Sequence, residues 1–157
     1  MKRTTIITLA LASVAGAIAI GCGDGDGGTT TQTQGQATSG SSGDTLQIQM
    51  DDDFFTPKEA SAKAGSVTIS APNKGQLVHE LVLAKMNVDP SKLPTTSDGG
   101  VDEAKLETLG KVAGEIADVA PGDTKQGTFK LTTGKYVMFC NIPGHYAQGM
   151  YGTVNVK

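Results

Sequence analysis

From Asp44 onward the chain alternates: Leu46, Ile48 and Met50 are separated by the polar Gln47 and Gln49, the period of two that marks a half-buried strand. A second strand is expected at Ser66 to Ala71, with Val67 and Ile69 on one face. Leu77 to Ala84 is richer in apolar residues, which fits a strand packed on both sides. Gly127 to Leu131, Lys135 to Cys140 and Gly149 to Val156 supply three more, separated by Gly or Pro turns. Short antiparallel strands at this spacing predict an all-β, Greek-key sandwich. The stretch from Met86 to Val119 breaks the pattern. Asp89-Pro90 and Leu93-Pro94 mark turns there, and Ser97 or Asp98 is placed to cap a short helix over Asp102 to Leu109 that ends at Gly110, a helical excursion around 98–110.

Composition supports a turn-rich sheet protein over a helical bundle: the 157 residues include 21 Gly, aromatics make up 4%, and Trp is absent. The net charge of -3 offers no electrostatic footprint for nucleic acid. The first 21 residues read as an export signal, with Lys2 and Arg3 preceding an apolar stretch from Ile6 to Ile20 that is short and weakly apolar for a membrane span, an uncleaved anchor helix being the alternative reading. The stretch ends in Ala19-Ile20-Gly21-Cys22, which resembles the lipobox of bacterial lipoproteins and implies acylation of Cys22 after cleavage. Ala19 departs from the usual Leu. Gly23 to Gly43 is almost purely Gly, Ser, Thr, Gln and Asp with Ala37 as the sole apolar residue, a composition that cannot bury enough surface to order itself. Such a tether has a root-mean-square reach of roughly 25 Å. The organisation expected is therefore a signal at 1–21, a lipidated Cys and linker at 22–43, and one domain at 44–157. That domain would be exported and monomeric, and held by a lipid anchor at the cell membrane or in the periplasm.

The chemistry concentrates near the C-terminus. The chain has two Cys, and with Cys22 assigned to the lipid, Cys140 is left as a free thiol with no disulfide partner. An unpaired thiol in an exported protein is buried filler, a nucleophile or a metal ligand. Its surroundings decide. Cys140, His145 and Met150 recur at intervals of five residues between two strands, and His79, the chain's other His, lies on the strand from Leu77. Two imidazoles, a thiolate and a distant thioether form the ligand set of a blue-copper centre, a trigonal His2Cys plane with a weak axial Met. Taken singly, each residue has a plainer reading, as core histidine or as adaptable packing; together they point to one copper ion. Asp51-Asp52-Asp53 reads as a solvated turn, since no acceptor follows at the spacing of a calcium loop.

The segment Tyr136 to Val156 resembles the C-terminal copper loop of the cupredoxins, and the four residues between successive ligands are nearer to the rusticyanin and sulfocyanin pattern than to plastocyanin. The resemblance implies a cupredoxin β-sandwich over most of 44–157, copper held by His79, Cys140, His145 and Met150, and single-electron transfer with the redox proteins of a respiratory chain. Glu80 departs from the Asn or Ser that many cupredoxins carry after the first His, which predicts altered bracing of the loop and a pH-sensitive potential. Phe139, Asn141, Ile142 and Pro143 are read as the surroundings of the sulfur and as part of the electron port. Because Pro143 lacks an N–H, the shell is expected to be apolar, poor in donors and favourable to Cu(I). The resemblance also implies that the His145 edge reaches the surface within a patch of Ile142, Pro143, Tyr146 and Met150. A copper oxidase or nitrite reductase of this lineage needs further His residues, and a binuclear centre needs a second Cys in the loop. The competing function is copper binding for storage or for delivery to an oxidase.

Overall fold

The computed structural model describes residues 43–157, so the export signal, Cys22 and the linker as far as residue 42 lie outside the described residues. The strands in chain order are β1 (Asp44–Gln47), β2 (Gln49–Asp51), β3 (Phe54–Thr56), β4 (Glu59–Ala62), β5 (Gly65–Pro72), β6 (His79–Lys85), β7 (Lys111–Val119), β8 (Thr124–Leu131), β9 (Gly134–Phe139) and β10 (Tyr151–Val156). Among the described residues two α-helices punctuate them, α1 (Glu103–Leu109) and the single turn α2 (His145–Gln148), with a 3-10 turn at Pro90–Lys92. They form a three-stranded sheet β1-β5-β8, a five-stranded sheet β4-β10-β9-β6-β7 and the hairpin β2-β3.

Alternation explains the layering. Val67 and Ile69 of β5, Phe129 and Leu131 of β8, and Ile48 meet Leu81 and Leu83 of β6, Met138 of β9 and Val154 of β10 in one core between the two sheets. Because successive side chains point to opposite faces, Val82 and Ala84 of β6 and Val137 and Phe139 of β9 face outward. They do not meet water: Met86, Leu93, Val101 and Leu106 fold over them as a second apolar cluster. The stretch from 86 to 110 is thus the cover of the outer face of the larger sheet. This is why β6 reads as packed on both sides.

The structure corrects several expectations. β6 begins at His79 and not at Leu77, because Leu77 and Val78 are 49% and 42% exposed. The helix is capped by Asp102, whose side chain accepts from the Lys105 N–H, and not by Ser97 or Asp98. It stops at Gly110, where an added Cβ would lie 2.4 Å from the Lys85 carbonyl oxygen. Lys111–Val119, assigned to the excursion, is a strand at the edge of the larger sheet. Its signature is blurred because register shifts against β6 leave Ile116 and Val119 as its buried residues. Nor is the pairing wholly antiparallel: β1 runs parallel to β5 and β10 parallel to β4.

Candidate metal centre

Two separate parts of the chain build the site. His79 opens β6 and is completely buried. The turn leading into it is clamped by two side chains. Asn73, also completely buried, donates from Nδ2 to the carbonyls of Leu77 (2.7 Å) and Val119 (2.8 Å), and its Oδ1 accepts from the Gly75 N–H. Asp52 Oδ1 accepts from the backbone N–H groups of Gln76 (2.7 Å) and Leu77 (3.0 Å) and lies 3.2 Å from His79 Nε2. The Leu77 hydrogen bond, more than the others, holds the Asp52 carboxyl below its usual range. An ionised carboxylate at Nε2 keeps the imidazole proton on that nitrogen and leaves Nδ1 as the free donor.

The other part is the loop between β9 and β10. It closes on itself through backbone hydrogen bonds from Cys140 N to Met150 O (3.1 Å), from Met150 N to His145 O (3.2 Å) and from His145 N to Ile142 O (3.0 Å). The single turn α2 is bracketed by Gly144 and Gly149, with φ of 87° and 116°, a left-handed conformation that side chains rarely tolerate. This compact turn delivers His145 back onto the thiol.

The three donors converge. The ligand atoms of His79, Cys140 and His145 all lie within 4.8 Å of one another. The two Nδ1 atoms are 3.1 Å apart, and Cys140 Sγ is 3.4 Å from His145 Nδ1. Met150 is wholly buried in the same core cluster as Cys140. Burial pushes the Cys140 thiol up to about 11, against the opposing pull of the backbone N–H groups of Glu80 and Ile142. Burial and then the neighbouring His79 lower the pKa of His145, so its imidazole is neutral at pH 7. A thiol that stays protonated at neutral pH is a poor nucleophile, whereas a metal ion displaces that proton. A closed pocket with two imidazoles and a soft sulfur suits copper by its donor set.

The remaining residues singled out from sequence fall into place unevenly. Glu80 does brace the loop, since its Oε1 accepts from the Asn141 N–H at 3.0 Å, and burial raises its pKa. Asn141 links the loop to the cover: its side chain accepts from the Val101 N–H and donates to Glu103 Oε1 (2.9 Å). Ile142 is half-buried against the main core and Pro143 is exposed. Phe139 belongs to the outer cluster, because strand alternation turns it away from the side that carries Cys140. One further expectation needs correction. Tyr146 and Met150 are 4% and 0% exposed and do not form a surface patch. Tyr146 instead packs edge-on against Phe139, donates to the Pro90 carbonyl (2.8 Å) and accepts from the Leu93 N–H (2.9 Å), pinning α2 to the cover.

Asn73 and Glu103 leave no mark in the sequence, and Asp52 reads there as part of a solvated turn, whereas the structure sets it against His79 and the preceding turn. A signal for Asp52 existed: it continues the alternation of Leu46, Ile48 and Met50, which places it on the inward side. The side chain of Asp52 is 35% exposed, and the acidic run around it suggests only a solvated turn.

Comparison with known proteins agrees with this geometry. Residues 43–157 match the family described as copper binding proteins, plastocyanin/azurin family. A copper-resistant cuproprotein, CopI, of Pseudomonas aeruginosa is 27% identical over 137 residues, covering 72% of this chain and 76% of that protein. Among solved structures, reduced auracyanin from Roseiflexus castenholzii aligns with a TM-score of 0.55 at 23% identity, covering 72% of this chain and 96% of its own. An azurin from Methylomonas sp. strain J aligns with a TM-score of 0.55 at 21% identity, over 73% and 98%. These structural likenesses establish the β-sandwich.

Proposed function

The chain belongs to the plastocyanin/azurin family of copper binding proteins, and from that premise we propose that it carries single electrons between redox proteins outside the cytoplasm, tethered to a membrane through Cys22. Bound copper supplies a one-electron change between Cu(II) and Cu(I). What this chain contributes is a site that moves little when the charge changes: Asp52 fixes the His79 ring, the closed loop fixes Cys140 and His145, and the sheets exclude water. His145, 6% exposed, is the sole one of the three convergent donors with any accessible edge, and it is the proposed port. Leu77 and Val78, exposed beside His79, extend the apolar ground on which a partner would settle.

The observation that carries the reading is the convergence of three buried donors in a pocket already closed by hydrogen bonds. Storage or delivery is the second reading, favoured by the copper-resistance name of the Pseudomonas relative. The two differ in what leaves the site. Copper-loaded protein challenged with excess chelator, alongside electron self-exchange between oxidised and reduced protein, separates them. Electron transfer predicts that exchange is complete long before copper is lost; the reverse order would establish delivery.

A further inference from the structure

The two ends of the sandwich carry opposite charge. β6 runs from His79 at the metal end to Lys85, six residues on and about 20 Å away. At that far end Lys85 pairs in register with Lys111 of β7 and with Tyr136 of β9, Lys135 stands on β9, and Lys130 stands on β8 of the other sheet. Two adjoining grooves share Lys85 and Lys111; one adds Lys130 and the other Lys135. None of these four lysines has a carboxylate partner within 4.0 Å among the described residues. Asp89, whose carboxylate feels the charge of Lys135, is occupied by the N–H and hydroxyl of Ser91. Exposed apolar side chains accompany the cations: Leu109 is 50% exposed and Val112 37%. The metal end is the converse, with Asp52, Asp53, Glu80 and Asp118 gathered around the ligands.

The described chain also enters at the lysine end. Gly43 lies against Ser66, whose carbonyl oxygen would be 2.1 Å from an added Cβ, and Ser66 is the register partner of Lys130. The first described residue, Gly43, therefore sits beside the cations. Unpaired lysines mixed with exposed apolar residues are the chemistry that binds an anionic lipid surface. We infer that this end, built on Lys85, Lys111, Lys130 and Lys135 with Leu109 and Val112, docks on the anionic headgroups of the membrane to which the chain is anchored. Docking holds the copper end outward, and the carboxylates there are repelled by the same surface. The inference rests on the proposed membrane tether, and the test separates the two.

Full-length, acylated protein would be mixed with phosphatidylcholine vesicles, with or without phosphatidylglycerol, floated on a density gradient, and pulse-labelled with an amine-acetylating reagent. On the anionic vesicles Lys111 and Lys130 should acetylate at least about threefold more slowly than on neutral ones. Lys74, at the metal end, should be unchanged, and high salt should abolish the difference. Replacing Lys85, Lys111 and Lys130 by Gln should leave flotation and the copper spectrum intact while making the residual labelling of Lys135 indifferent to lipid charge. Flotation with equal labelling on both vesicles overturns the docking surface and keeps the tether. Failure to float on neutral vesicles overturns the tether, while protection on anionic vesicles at low salt would still support the surface. Equal protection by inorganic polyphosphate without vesicles would overturn it in favour of a soluble polyanion.

Discussion

The metal site is held from two sides that achieve rigidity differently. On the loop side, Cys140, His145 and Met150 come from one short segment that closes through its own backbone and is pinned to the 86–110 cover by Tyr146 and Asn141. On the strand side, His79 stands alone, and its orientation depends on Asp52, a residue distant in sequence that also ties down the preceding turn. The loop distributes its support over many weak bonds, whereas on the strand side Asn73 braces the turn and one carboxylate, Asp52, alone reaches the imidazole. Losing a single brace should therefore cost more on the strand side than on the loop side.

Removing a donor outright sets the upper limit for this comparison. Cys140→Ser should abolish the charge-transfer absorption and weaken copper binding by more than the roughly tenfold to hundredfold expected of outer partners. Asp52→Ala should fall within that tenfold to hundredfold range, measured by competition with a chelator, and should broaden the electron paramagnetic signal as His79 loses its fixed ring. Asp52→Asn, which keeps an acceptor but not the charge, should recover most of the affinity and raise the reduction potential.

Protonation gives the next effect. Cys140 is protonated below about 11 in the metal-free protein and must lose that proton to bind, so copper affinity should rise about tenfold per pH unit through the neutral range. His145, whose pKa is lowered, adds no proton release above neutrality. Calorimetry in buffers of different ionisation enthalpy checks the release of one proton per copper.

The smallest effect on binding is expected from the loop's anchor. Tyr146→Phe leaves the buried Leu93 N–H without its partner and should cost about 1–3 kcal/mol of stability, several degrees in Tm, while copper affinity changes by less than threefold. An affinity loss for Tyr146→Phe equal to that for Asp52→Ala would break the contrast between the two sides.

The same contrast explains what could be read from the sequence. The loop was legible because its ligands are contiguous and each is of a type copper demands, and the strands around it were legible because a buried face enforces alternation. Glu80 is visible as the residue after His79, yet its partner, the Asn141 N–H, follows only from the folded strands. Asn73 is hidden because its role, hydrogen bonds that tie down a turn, leaves no periodic trace, and Asp52, although it continues the alternation, is masked by the acidic run that reads as a solvated turn. β7 escaped because an edge strand with bulges buries too few residues to alternate cleanly. Tyr146 looked like a surface aromatic of the loop until the 86–110 segment was seen to cover the sheet.

The central claim is that His79, Cys140 and His145 form one copper site with direct thiolate coordination. The most direct test is the visible absorption spectrum of the protein loaded with Cu(II) and titrated with ascorbate, then reoxidised. The account predicts an intense thiolate-to-copper band that bleaches on one-electron reduction and returns in full; a weak spectrum without that band would contradict coordination by Cys140 and with it the blue-copper assignment.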